Sequence, residues 1–168
     1  GAHARLVALL RVDASRSLRP MGALDWASLR DDELLEHRIS RLGLALEGTP
    51  LQALVQQLYA ELSEKGLSFH PPCEIGDEWF VPVGLPVIFI PFFLAHDRLR
   101  HLEQKIILDV EGGTSEAFMK LIRHEAAHAY SYAYRFVRKQ KWQHTFGKSS
   151  AEETPSFYRP RPYSRSFV

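Results

Sequence analysis

Apolar positions along the chain follow two rhythms, and the change between them organises it. In "SLRDDELLEHRISRLGL" Leu34, Leu35, Ile39 and Leu42 fall at helical intervals and Gly43 supplies a stop, which predicts a helix over about 29–42. The next helix is better punctuated. Thr49 is placed to cap it, Pro50 takes the first helical position where a missing N–H does no harm, and Gly66 follows the last turn. Leu51, Leu54, Val55, Leu58, Tyr59 and Leu62 then share one face.

After Gly66 the helical period gives way to short runs of β-branched and aromatic residues, "LSFH", "EWFVPV" and "PVIFIPFF", separated by Pro and Gly. These predict short strands, and the prolines around "VIFI" predict an edge or near-edge strand. "HDRLRHLEQKIILDVEGG" reads as helical at its start through Leu99, Leu102 and Ile106, while "KIILDV" is open between helix and strand. "EGGT" then breaks the chain, and Thr114 or Ser115 caps a long helix expected to run to about Lys141. Phe118, Ile122, Ala126, Ala129, Ala133 and Val137 form its expected buried stripe. Beyond it, Pro155, Pro160 and Pro162 predict loop. Residues 1–24 read as a loosely organised lead-in, and residues 25–168 as a single α+β domain.

The long helix carries the chemistry. In "LIRHEAAHAY" His124 and His128 lie four apart, one turn above each other on one face, with Glu125 beside that face. This is the H-E-x-x-H arrangement of zinc hydrolases. Neutral imidazole nitrogens bind zinc at about 2.0–2.1 Å, and catalytic sites pair three protein ligands with a water in the fourth position. The ion lowers the pKa of that water to roughly 7. Glu125 is then the expected general base, placed to pass the proton on to a leaving amine. The bland alternative is a surface helix with two solvated histidines. Small Ala126, Ala127 and Ala129 on the same helix argue for close packing and against that alternative.

A third ligand is the open question. The longer H-E-x-x-H-x-x-G-x-x-H form is excluded, since Ser131 and Tyr134 occupy the places of its glycine and histidine. Glu152, Glu153 and His144 are candidates, although a solvated charge run is the commoner explanation for the two glutamates and a structural or exposed place for the histidine. Cys73 raises a rival, because peptide deformylases place H-E-x-x-H on a helix and add an upstream cysteine. The glycine-rich and "EGCLS" segments of that family are missing here, and Cys73 sits in "HPPCEIGDEW", so a buried, inert thiol is expected. Tyr163 and His144 are weaker candidates for oxyanion contacts. Tyr130, Tyr134 and Trp142 have the spacing of core aromatics rather than of a substrate platform.

Composition narrows the rest. The chain has 168 residues, 45% of them apolar, enough for one sizeable core. With 21 basic against 20 acidic residues the formal net charge is +1, which offers no electrostatic case for nucleic acid or an anionic membrane. One cysteine excludes an internal disulfide and fits a reducing, cytoplasmic compartment. "VPVGLPVIFIPFFLAH" is the most apolar stretch and is too short and too proline-broken to span a bilayer. The first residue is Gly1 rather than Met, as expected if a segment precedes it.

Several blocks in order resemble a bacterial family of zinc-binding metallopeptidases. They are "RLGLALEGTPLQALVQQLYAELSEKGLSFHPPCEIGDEWFVPVGLPVIFIPFFLAHDRLRHLE", "DVEGGTSEAFMKLIRHEAAHAYSYAYRF", "W...FG" and "YRPRPYSRSFV". The resemblance runs from Trp26 to Val168. It implies a zincin-like fold with a small sheet against the active-site helix, zinc on His124 and His128, Glu125 as catalytic acid/base, and a peptide or protein substrate. It also implies an acidic segment following "YSRSFV" that supplies a carboxylate as third ligand. Members often carry Gly where Ala127 stands. A zincin-shaped binding module without turnover and a deformylase-like amide hydrolase are the other readings.

Overall fold

The computed structural model describes residues 26–107 and 110–147. A 3₁₀ turn, Trp26–Ser28, opens it. Helix α1, Asp31–Leu35, and a 3₁₀ turn, Ile39–Arg41, replace the single helix expected over 29–42. Three acidic residues fill the first turn of α1, but no basic residue closes its last turn. Leu34 and Leu42 still reach the core, so the apolar spacing holds while the helix itself is broken.

Helix α2, Pro50–Glu64, keeps the bounds the sequence signals set, although the Thr49 hydroxyl donates to Leu46 O at 2.7 Å and does not cap the helix. Gly66 takes φ +71°, and the amides of Leu67 and Gly66 return to the carbonyls of Leu62 and Ser63 at 2.9 Å each. That is the glycine-dependent stop a helix C-terminus uses. Leu51, Val55, Leu58 and Leu62 are its buried residues.

The sheet is smaller than the strand signals suggest. Strand β1, Cys73–Gly76, pairs in parallel with β2, Ile88–Pro91, over four residue pairs from Cys73–Ile88 to Gly76–Pro91. "LSFH" forms no strand, and of "EWFVPV" only Phe80 joins the sheet, through one antiparallel bridge to Phe89. Strand β2 therefore has a full neighbour on one side and a single bridge on the other, the near-edge place its flanking prolines predicted. Gly76 makes the pairing possible, because a Cβ there would lie 2.9 Å from Phe89 Cβ.

A 3₁₀ turn, Phe92–Ala95, leads into helix α3, Asp97–Ile107, so the helical option holds for "HDRLRHLEQKII". Helix α4, Ser115–Ala133, starts from Thr114, whose Oγ1 accepts from the Ala117 amide at 3.2 Å. It stops eight residues short of the expected end, and α5, Gln140–Phe146, follows after a 3₁₀ turn. Arg135 causes the break, with φ +50° in the left-handed region that a continuing helix does not visit. Aromatic stacking accompanies it: Tyr134 on Phe136 at 5.8 Å, Phe136 on Trp142 at 5.4 Å and Trp142 on Phe146 at 4.4 Å between ring centroids. Ala133 and Val137 consequently lie exposed rather than in the buried stripe.

The core gathers α2, the sheet, the Phe92–Ala95 turn, α3 and α4 around Leu58, Ile88, Ile90, Phe92, Leu99, Phe118 and Ile122. Helix α4 packs on both α2 and β2. The fold is α+β, with a small parallel sheet against the helix that holds the histidines. No helix among the described residues is long and apolar enough to cross a membrane.

Candidate metal centre

Helix α4 is two-faced where the motif sits. Ile122, Ala126, Ala129 and Tyr130 are buried in the core, while Arg123, His124, Ala127 and His128 are exposed. Glu125 lies at the seam and is 9% exposed, so the motif places two imidazoles outside and one carboxylate at the protein edge. The 3.6-residue period explains this division directly.

The two rings meet as the spacing allows. His124 Nε2 and His128 Nε2 are 3.0 Å apart, with ring centroids at 4.7 Å and planes at 75°. Two nitrogens this close could share one zinc ion at bond lengths of about 2.0–2.1 Å after the rings open slightly. Without an ion, one Nε2–H donates to the other Nε2; accepting zinc requires the donating ring to carry its proton on Nδ1 instead. The pair fits as two members of a zinc ligand set.

Glu125 fits a different task. Burial raises its carboxyl above the usual carboxylate range; the neighbouring His128 and His124 work against this, and the charge of Glu111 adds to it. A carboxylate with raised proton affinity beside two imidazoles is suited to take a proton. Glu111, in the turn ahead of α4, was not foreseen. Nothing in "DVEGG" marks it, since its influence comes from the turn folding back toward the helix.

The candidates for a third ligand separate by location. Among the described residues no three His, Cys, Asp or Glu side chains come together as a metal site. His144 lies exposed on α5. Cys73 is held elsewhere: its Sγ lies 3.7 Å from Tyr59 Oη, which itself donates to Pro71 O at 2.7 Å. Burial pushes the Cys73 thiol up to about 11, so it is a poor source of thiolate. Glu152, Glu153 and Tyr163 lie outside the described residues. Tyr130 is core and donates to Phe69 O at 2.5 Å, Trp142 is half-buried in the aromatic stack, and Tyr134 is 41% exposed.

A clamp holds the site helix in place. Arg123, next to His124, donates from Nε and an Nη to both oxygens of Glu61 on α2, each at 2.7 Å. No family model, curated protein or solved structure significantly matches this chain.

Proposed function

We propose that the protein is a zinc-dependent peptidase with a zincin-like arrangement, in which His124 and His128 bind zinc and Glu125 is the general base. The observation that carries this reading is the pair of Nε2 atoms 3.0 Å apart on an exposed helix face, with a buried, proton-attracting carboxyl next to them. Motif residues alone would not require that convergence. The likeness to bacterial zinc metallopeptidases supports the same assignment. A third ligand is proposed to be a carboxylate, Glu152 or Glu153.

Zinc, when bound, supplies a Lewis acid that polarises the scissile carbonyl and acidifies a water. The chain's own residues do the rest. His124 and His128 hold the ion on a rigid helix, the Arg123–Glu61 clamp fixes that helix, and the Glu125 carboxylate accepts a proton and returns it to the departing amine. A peptide or protein is the proposed substrate, with Phe80, Val83 and Leu85 near the sheet offering exposed apolar contact. A reducing cytoplasmic setting agrees with the single free Cys73.

Purified protein assayed for metal content and against a broad peptide panel tests the reading. Glu125→Gln should keep its zinc and lose about 10²-fold or more in cleavage, the usual weight of a general base. His128→Ala should lose the zinc. Wild-type protein that binds zinc stoichiometrically yet cleaves nothing would instead favour a binding module, and protein without zinc would end the metalloenzyme assignment.

A further inference from the structure

Charge is distributed unevenly along the chain. From Ala126 to Gly147 there is no Asp or Glu, but there are Arg135, Arg138, Lys139 and Lys141, all exposed. No carboxylate among the described residues pairs with any of the four. The formal charge of +1 for the whole chain conceals this local excess. The 3₁₀ turn Phe136–Arg138 and α5 have no fully buried residue, and that turn is the main packing partner of α5. Of their apolar residues Phe136 alone packs against the core, which leaves Val137, Trp142 and Phe146 outside it.

A row of aromatic rings runs through this cationic segment. Tyr134, Phe136, Trp142 and Phe146 follow one another in contact, and Trp142 and Phe146 lie four apart on one face of α5. Tyr134 is 41% exposed, Val137 38% and Phe146 60%, so the row meets solvent along its edge. Lys139 Nζ lies 5.3 Å from the Phe136 ring centroid and 5.9 Å from that of Tyr134, so charge and rings share one surface. That combination matches the boundary of an anionic bilayer, where rings insert shallowly among the headgroups and cations meet the lipid charges. Single-stranded nucleic acid fits less well, because bases stack on open ring faces. Tyr134 has a near-parallel ring on each side, Tyr130 at 5.5 Å and Phe136 at 5.8 Å, and Phe136 lies between Tyr134 and Trp142.

We propose that residues 135–146 form a docking surface for anionic membrane lipids, on which Val137, Trp142 and Phe146 enter the interface while Arg135, Arg138, Lys139 and Lys141 meet the headgroups. The protein lies on the bilayer and does not cross it, in keeping with the lack of a spanning helix among the described residues. Each cation beside an anionic surface strengthens attachment about fivefold, so four of them give a reversible hold and not a permanent anchor. The surface is separate from the histidine pair and stands whether or not the peptidase reading does.

Co-sedimentation of the full chain with sucrose-loaded vesicles decides the matter. Phosphatidylcholine vesicles carrying about 30 mol% phosphatidylserine should bind about 100-fold tighter than phosphatidylcholine alone, and high salt should narrow the difference. Arg138→Gln combined with Lys141→Gln should weaken that binding about 25-fold, and Phe146→Ser about fivefold. These side chains are exposed, and far-UV circular dichroism checks that each variant is folded. Trp142 emission should move to the blue on the vesicles, and Trp142→Phe should remove that shift. His128→Ala should bind vesicles like the wild type. Equal binding to neutral vesicles, indifference to the double substitution, an unshifted Trp142 or dependence on His128 would overturn the proposal. So would a thymidine oligonucleotide or polyglutamate bound as tightly as the vesicles; should Phe146→Ser misfold, the double substitution and the Trp142 emission decide alone.

Discussion

Two side chains carry opposite lessons about proton affinity. Burial raises the Cys73 thiol to about 11, and its neighbours are a tyrosine hydroxyl and a carbonyl, not a cation. At pH 8 its reaction with iodoacetamide should be at least about tenfold slower than that of a free cysteine peptide, because the thiolate is the nucleophile. The rate should keep climbing up to about pH 11, and a rate that levels off near pH 8.5 would contradict the burial. Glu125 is also raised by burial, but there the cost falls on the folded state. Since its folded value lies above its unfolded one, both states hold the proton at low pH and no penalty applies; once the pH passes the folded value, the full penalty does. Glu125→Gln should therefore stabilise metal-stripped protein at neutral pH, with the gain shrinking as the pH drops into the ordinary carboxylate range. Urea unfolding of both proteins at several pH values measures it. Stability given up at the carboxylate is what a residue kept for chemistry would show.

At the scale of elements, the join between α2 and α4 sets how firmly the histidines are held. Arg123 grips both oxygens of Glu61, and that hydrogen bonding lowers the Glu61 carboxyl to about 2. A lowered folded value gives stability that is fully present above the unfolded value and is lost as the pH falls through about 2. Glu61→Gln should cost about 0.5–1 kcal/mol at pH 7, in line with a solvent-accessible but bidentate pair, and its denaturation midpoint should approach the wild type's in strong acid. A difference that stays constant down to pH 2 would assign the effect to packing. Neither this clamp nor the early end of α4 was legible from the chain. Local signals worked where the determinant is local: Pro50 and Gly66 bounded α2, and the four-residue spacing put His124 and His128 on one face. They failed where distant parts decide. Tyr130, Tyr134 and Trp142 are expected at helical spacing, but Tyr134 and Trp142 instead stack on either side of Phe136 across a break at Arg135. Cys73–Gly76 has no strong strand signature and becomes a strand by pairing with Ile88–Pro91, against a glycine small enough to admit Phe89.

For the molecule as a whole, the core and the candidate metal centre occupy opposite faces of one helix, and this separates folding from metal binding. Ile122, Ala126 and Ala129 join α4 to a core that includes Leu58, Ile88, Phe92 and Leu99, none of which depends on the imidazoles. Small metal-folded domains lose their structure with the ion, because the ion stands in for a core. Here the core is complete without it, so protein stripped with EDTA should still melt cooperatively and keep its helical circular dichroism. Restored zinc should add stability only by binding the native state, about 2.7 kcal/mol when its free concentration is 100 times the dissociation constant. His128→Ala should melt like the stripped wild type and respond to zinc hardly at all. A wild type that unfolds on chelation would mean that zinc organises the fold itself, and the imidazole pair would then have to be read as a structural site.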